Sequence, residues 1–216
     1  FKVVDSDDWV EESALNELMK TIKGFGEDDA PDAVVVNYVY EHVEDNTRKI
    51  VRYKSEFPVG RPFDFSESRS FALGKFLAMH SLVYKTELIK SINLELPEHT
   101  FYVDNLFVFQ PLPSVKKMYY MDELFYHYYI GREDQSVNEQ VMIGRIDQQL
   151  KVNKLMIDSF ANIKGINKNC RRYMLSYLDI IMTVSSMLLL KSGTEENFKK
   201  KQELWSYLKN ADAGLY

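Results

Sequence analysis

Sulfur chemistry is nearly missing from this sequence: Cys170 is the single cysteine in 216 residues. That excludes an intrachain disulfide and any metal site built on thiolates, and it points to a reducing compartment. Histidine is scarce as well. The four, at 42, 80, 99 and 127, contain no H-x-x-x-H pair and are too scattered to read as a metal triad. No Gly-rich phosphate loop, zinc motif or RNA-binding signature is present, so nucleic acid is not an expected partner. Long apolar runs are lacking too. The longest, residues 180–190, is interrupted by Thr183, Ser185 and Ser186 and falls well short of the roughly 20 residues that span a bilayer; it predicts a buried helix. No positively charged leader with an apolar run and a cleavage site opens the chain, which starts on Phe1-Lys2-Val3-Val4. That abrupt start is expected of a piece of a longer protein.

What is abundant is apolar and aromatic surface. With 45% hydrophobic and 13% aromatic residues, the chain can bury a sizeable core, which excludes disorder or a coiled coil as the main architecture. Tyr 14 and Phe 13 stand against Trp 2, and most of the tyrosines are expected to be buried with a paired hydroxyl. The net charge of −5 is uneven. Residues 139–216 hold 12 Lys/Arg against 8 Asp/Glu, whereas residues 1–138 hold 15 against 24. A bound divalent cation would offset part of that acidic excess, and a basic tail suits an anionic surface or acceptor.

Periodicity predicts a strand at 1–4, a turn at 5–9 and a helix at 10–22 ended by Gly24 and Gly26. Residues 33–43 and 49–53 read as a hairpin around Glu44-Asp45-Asn46-Thr47. Residues 57–68, with Pro58, Gly60 and Pro62, read as a loop or flap. A short helix at 70–77, a strand at 80–84, helices at 86–92 and 101–109, and two strands at 115–121 and 124–130 follow. Beyond residue 137 the pattern is helical, near 137–163, 168–192 and 195–210. The fold class is therefore α/β, a mixed sheet flanked by helices over residues 1–138, followed by an all-helical bundle over 139–216.

The sharpest chemical signal is Val3-Val4-Asp5-Ser6-Asp7-Asp8-Trp9, a hydrophobic strand ending in carboxylates. Such oxygen-rich strand ends hold magnesium or manganese and leave coordination positions for phosphate oxygens. The plainer reading is a helix N-terminus in which Ser6 or Asp7 caps and the acidic side chains favour the helix dipole. Four blocks extend the signal: residues 2–10; His80-Ser81-Leu82-Val83-Tyr84-Lys85-Thr86-Glu87-Leu88; Leu96-Pro97-Glu98 with Phe101-Tyr102-Val103-Asp104-Asn105; and Tyr126 to Val137.

Together these blocks resemble the family-2 glycosyltransferases of GT-A fold over roughly 140 residues, leaving 139–216 uncovered. The resemblance implies an inverting, metal-dependent transferase that moves a sugar from a nucleoside-diphosphate sugar to a glycan or glycoconjugate acceptor, as in bacterial polysaccharide biosynthesis. Asp7 and Asp5 would ligate Mn2+ or Mg2+, with Asp8 a weaker candidate near the donor, and Asp104 would be the general base. Many relatives carry Glu-Asp where this chain has Val103-Asp104. The plainer reading of Asp104 is the N-cap of the helix it begins. His80 could contact acceptor or phosphate, or be a satisfied, partly buried histidine. Arg132, Gln135 and Ser136 could reach the diphosphate or lie in a solvated loop. His127 reads as structural.

GT-A enzymes build the nucleoside pocket from strands that precede the acidic loop, and this chain lacks them. It would thus be the metal and acceptor half of a transferase, inactive alone, with an open sheet edge that invites a homodimer. A cytoplasmic location is expected, with peripheral contact at the inner membrane face through the basic tail. Two other classes remain open: a non-catalytic helical interaction domain, and a D-x-D phosphatase resembling the haloacid dehalogenases, against which Trp9 stands where those enzymes carry Thr or Val.

Overall fold

The computed structural model describes residues 1–26, 29–42, 45–131 and 135–215. The chain forms two compact units, Phe1–Leu94 with Ser114–Arg132, and Glu95–Pro113 with Glu133–Tyr216. The first holds a six-stranded mixed sheet and the second is helical, with seven α-helices in all among the described residues.

Two long strands make the spine of the sheet. β2 (Ala33–His42) and β6 (Met118–Ile130) run parallel, and β2 is buried from Ala33 to Val39, as expected of a strand covered on both faces. One edge of β2 carries β5 (Leu82–Tyr84) and β3 (Arg48–Val51), both antiparallel. Beyond β6 lie β4 (Pro62–Phe63) and β1 (Trp9–Val10). Helix α1 (Glu12–Lys23) buries Ala14 and Leu18 and ends at Gly24; α2 (Thr86–Ser91) follows β5.

Several local expectations are corrected. Residues 1–4 are not a strand: only Phe1 joins the sheet, its amino group donating to the Tyr84 carbonyl at 2.6 Å and its carbonyl accepting from the Tyr84 amide at 2.9 Å. The helix expected from residue 10 starts two residues later, because Trp9 and Val10 pair with His127 and Tyr126. No helix forms over 70–77. Gly74 takes a φ of 75° there, a turn conformation that a helix does not contain. Residues 57–68 are no free flap, since Phe57, Phe63 and Phe65 are core residues and the Phe57 and Phe63 rings lie 5.1 Å apart.

The two strands expected at 115–121 and 124–130 are one. Asp122-Glu123, between the two expected strands, is absorbed by a register shift: Val35 faces Tyr120 and Asn37 already faces Leu124. The partner of that irregularity is polar. Asn37, fully buried, donates to Asp122 Oδ1 at 2.8 Å, and Arg52 donates to the same oxygen at 2.7 Å. The Tyr120 hydroxyl lies 2.7 Å from Asn37 Oδ1 and 2.9 Å from Asp122 Oδ1. A bulge with satisfied polar groups is a stable feature.

In the helical unit, α3 (Asp104–Phe109) buries Leu106 through Phe109 and packs on α5 (Ile146–Ala161). The segment bearing Asp104 thus belongs with the helices. The helix expected at 137–163 is two, α4 (Glu139–Gly144) and α5, because Arg145 leaves helical geometry at φ −111°. α6 (Lys168–Lys191) and α7 (Glu195–Ala211) pack on α5 and on each other. α6 is long and apolar enough to cross a membrane by length and composition. Its residues 173, 174, 177, 178, 181, 182, 185, 188 and 189 are buried, the stripe of a helix packed inside a bundle.

Candidate metal and base sites

The acidic turn is organised by the strands beside it. Register places Tyr38 opposite Tyr126 and Tyr40 opposite Tyr128, with Val39 opposite His127 between them. Since side chains alternate across a strand, the four tyrosines share one face. His80 lies against that face: its ring is stacked 4.7 Å from Tyr126, 4.5 Å from Tyr128 and edge-on 5.4 Å from Tyr38. On the opposite face His127 stacks flat on Trp9 at 5.0 Å and meets Glu41 Oε1 at 2.7 Å, a packing role.

Asp5, Asp8 and His80 each offer one ligand atom, all within 4.8 Å of one another. Asp8 is held from two sides, accepting from the Tyr126 hydroxyl at 2.6 Å and from the Tyr129 amide at 2.9 Å. The Asp5 amide donates to that same hydroxyl at 3.2 Å, so Tyr126 ties both ends of the turn together. The Asp5 carboxylate accepts no hydrogen bond and joins no ion pair among the described residues. Asp7 is exposed and outside the three. Neither Ser6 nor Asp7 caps α1; its N-cap is Glu11, with no side-chain bond.

Burial dominates the electrostatics here. It pushes the Asp5 carboxyl up, with Asp7 repelling it further and Lys2 opposing. Burial also raises Asp8 against the hydrogen bonds from Tyr126 and Tyr129. His80 is driven down to about 3 by burial and then by Lys2, so its imidazole is neutral, and its buried Nδ1 has no hydrogen-bond partner. Lys2 falls to about 7, desolvation outweighing the attraction of Asp5 and Asp8. Its ammonium donates to the Met79 and His80 carbonyls at 2.8 and 2.7 Å and stands 4.7 Å over the Tyr126 ring.

Asp104 lies in the other unit, exposed on the first turn of α3. It is not the N-cap; that position is Val103, which makes no side-chain capping bond. Tyr102, just before it, holds φ at +68°, and His99 at +50°. A bulky side chain in left-handed backbone is an outlier that persists only where surroundings enforce it. Here the Tyr102 hydroxyl donates to the Ser136 carbonyl at 3.1 Å, and the neighbouring Phe101 amide donates to Gln148 Oε1 at 2.7 Å beneath an Arg145 cation 3.6 Å over the Phe101 ring. Ser136 therefore contributes its backbone. Gln135 is buried, its carbonyl accepting from Asn138. Arg132 lies outside the described residues.

The sequence alone ranked Asp8 below Asp7 and missed Lys2, Tyr126 and Tyr102. The period-2 tyrosines at 38/40 and 126/128 were a usable signal for the first face; nothing in the sequence signals a positive φ at Tyr102. Compared with known proteins, the chain matches no family model and no curated sequence.

Proposed function

We propose that this chain carries the metal-binding and base-bearing parts of a GT-A-type, inverting glycosyltransferase that uses a nucleoside-diphosphate sugar. One observation carries the reading: a carboxylate with no hydrogen bond or ion pair among the described residues, a second carboxylate pinned by Tyr126 and Tyr129, and a neutral imidazole whose Nδ1 has no partner among them converge, one ligand atom each, within 4.8 Å. The donor set fits a divalent cation. Carboxylates suit hard ions and imidazole softer ones, which favours manganese over magnesium. When bound, the cation would offset charge building on the departing diphosphate.

The residues around it set the stage for that step. Tyr126 and the Tyr129 amide fix the Asp8 oxygens, the kind of outer support that orients metal ligands. Lys2, held by two carbonyls, adds positive potential beside the turn. Asp104 is assigned as general base: it takes the proton of an acceptor hydroxyl as that oxygen attacks the anomeric carbon, the bond to the diphosphate breaks, and configuration inverts.

Sugar transfer by the natural protein with manganese tests the reading. Asp8→Asn and Asp104→Asn should each lower kcat by about 100-fold or more, the usual weight of one acid–base or metal-holding group. Undiminished turnover in Asp104→Asn would remove the base. Loss of neither activity nor metal dependence in both variants would leave the helical interaction domain as the better account.

A further inference from the structure

A cavity of about 380 Å³ opens on the tyrosine face, between the β2–β3 hairpin and the turn at Gly74. Its aromatic wall is the half-buried Tyr40, backed by the buried Tyr38, edge to face at 5.2 Å with their hydroxyls 3.2 Å apart. Ile50, Phe76 and the fully exposed Leu73 supply apolar surface. Lys49, Arg52 and Lys75 also line it, and no carboxylate does among the described residues. That is unexpected in a chain of net charge −5. Arg52 and Lys75 are anchored from outside the lining, by Asp122 at 2.7 Å and Glu56 at 2.6 Å, which fixes their positions. Lys49, on the exposed strand β3, pairs with no carboxylate among the described residues; its ammonium stands 6.0 Å over the Tyr40 ring.

Cationic lining with aromatic walls selects an anion that also presents an apolar face. A sugar ring stacks its C–H face on aromatic rings, and a carboxylate or phosphate substituent would meet Lys49. The volume is at the small end for ligand pockets, which suits one substituted ring rather than a whole nucleotide sugar. Tyr38 lines the cavity and also touches His80, so an occupant would lie beside the Asp5–Asp8–His80 cluster. We propose that this cavity is a subsite for an acidic sugar residue, and, resting on the transferase reading above, that the residue belongs to the acceptor.

The test is a titration of the 216-residue chain with glucuronate, glucose 6-phosphate and glucose, followed by NMR. At least one acidic sugar should bind ten-fold or more tightly than glucose, and which one wins identifies carboxylate or phosphate as the anionic group. Lys49→Glu should weaken that binding at least ten-fold with the thermal midpoint unchanged, Tyr40→Ala should weaken it at least ten-fold at a temperature where the variant stays folded, and Lys49→Arg should retain it. Glucose binding as well as both acidic sugars, no binding by any of the three, or indifference to Lys49→Glu would overturn the proposal. Asp5→Asn should abolish manganese binding yet leave the acidic sugar bound, so the metal reading and the subsite fail separately.

Discussion

Tyr102 shows how little of a site's machinery is written in residue identity. Aspartates after a hydrophobic stretch could be read either as a cation site or as helix-capping residues, and Asp5 and Asp8 were named from that turn, whereas His80 and Asp104 followed only from the family resemblance. Which two carboxylates converge was not legible, because Asp7 and Asp8 differ only in the direction the turn gives them, and that direction is set by Tyr126, far away in sequence. Backbone strain leaves no sequence mark at all. Holding a tyrosine at φ +68° costs on the order of 1–3 kcal/mol, and its hydroxyl bond to Ser136 returns about 1 kcal/mol. Tyr102→Gly loses both, so its stability should stay within about 1 kcal/mol of wild type in urea melts. If the strain positions Asp104, kcat should nonetheless fall about ten-fold with KM little changed; an unaltered kcat would make Tyr102 a purely local feature.

At the scale of elements, long periodic segments were readable and interruptions were not. β2, α1, α2, α6 and α7 follow their hydrophobic patterns within a residue or two, as periodicity should dictate. β6 is one strand where the pattern predicts two: the acidic pair Asp122-Glu123 falls between the apolar runs, and the buried Asn37 gives Asp122 a partner inside the sheet. The bulge should therefore be costly to disturb: Asn37→Ala, which strips a buried partner from Tyr120 and Asp122, should destabilise by about 1–3 kcal/mol. Acid should probe the same network. Burial pushes the Asp122 carboxyl up, but hydrogen bonds from Arg52, Asn37 and Tyr120 outweigh it and hold the group below its ordinary 3.8. A carboxyl depressed in the folded state stabilises above its unfolded value and loses that contribution as pH falls through the folded one. Wild type should lose stability from about pH 4 downward more steeply than Asp122→Asn in acid melts; parallel acid limbs would show that the network carries no such linkage.

For the whole molecule, the sequence conveyed a sheet region followed by helices but not how the chain apportions itself. Residues Glu95–Pro113 go with the helical unit, because the apolar side chains of α3, Leu106 through Phe109, find their cover on α5 and α6, where Phe109 meets Phe160 and Tyr177 and the Tyr177 hydroxyl donates to Asn105 at 2.9 Å. Removing residues 139–216 should strip that cover and leave the remainder insoluble; a soluble, well-folded 1–138 chain would contradict this division. The claim on which the functional account depends is narrower, that Asp5, Asp8 and His80 form one divalent-cation site. Electron paramagnetic resonance of manganese titrated into the 216-residue chain measures it directly. The account predicts one bound ion per chain, lost in Asp5→Asn and Asp8→Asn, weakened about ten-fold or more in His80→Ala, and retained in Asp7→Asn. Manganese that stays free, or binding that survives Asp5→Asn and Asp8→Asn, would contradict it.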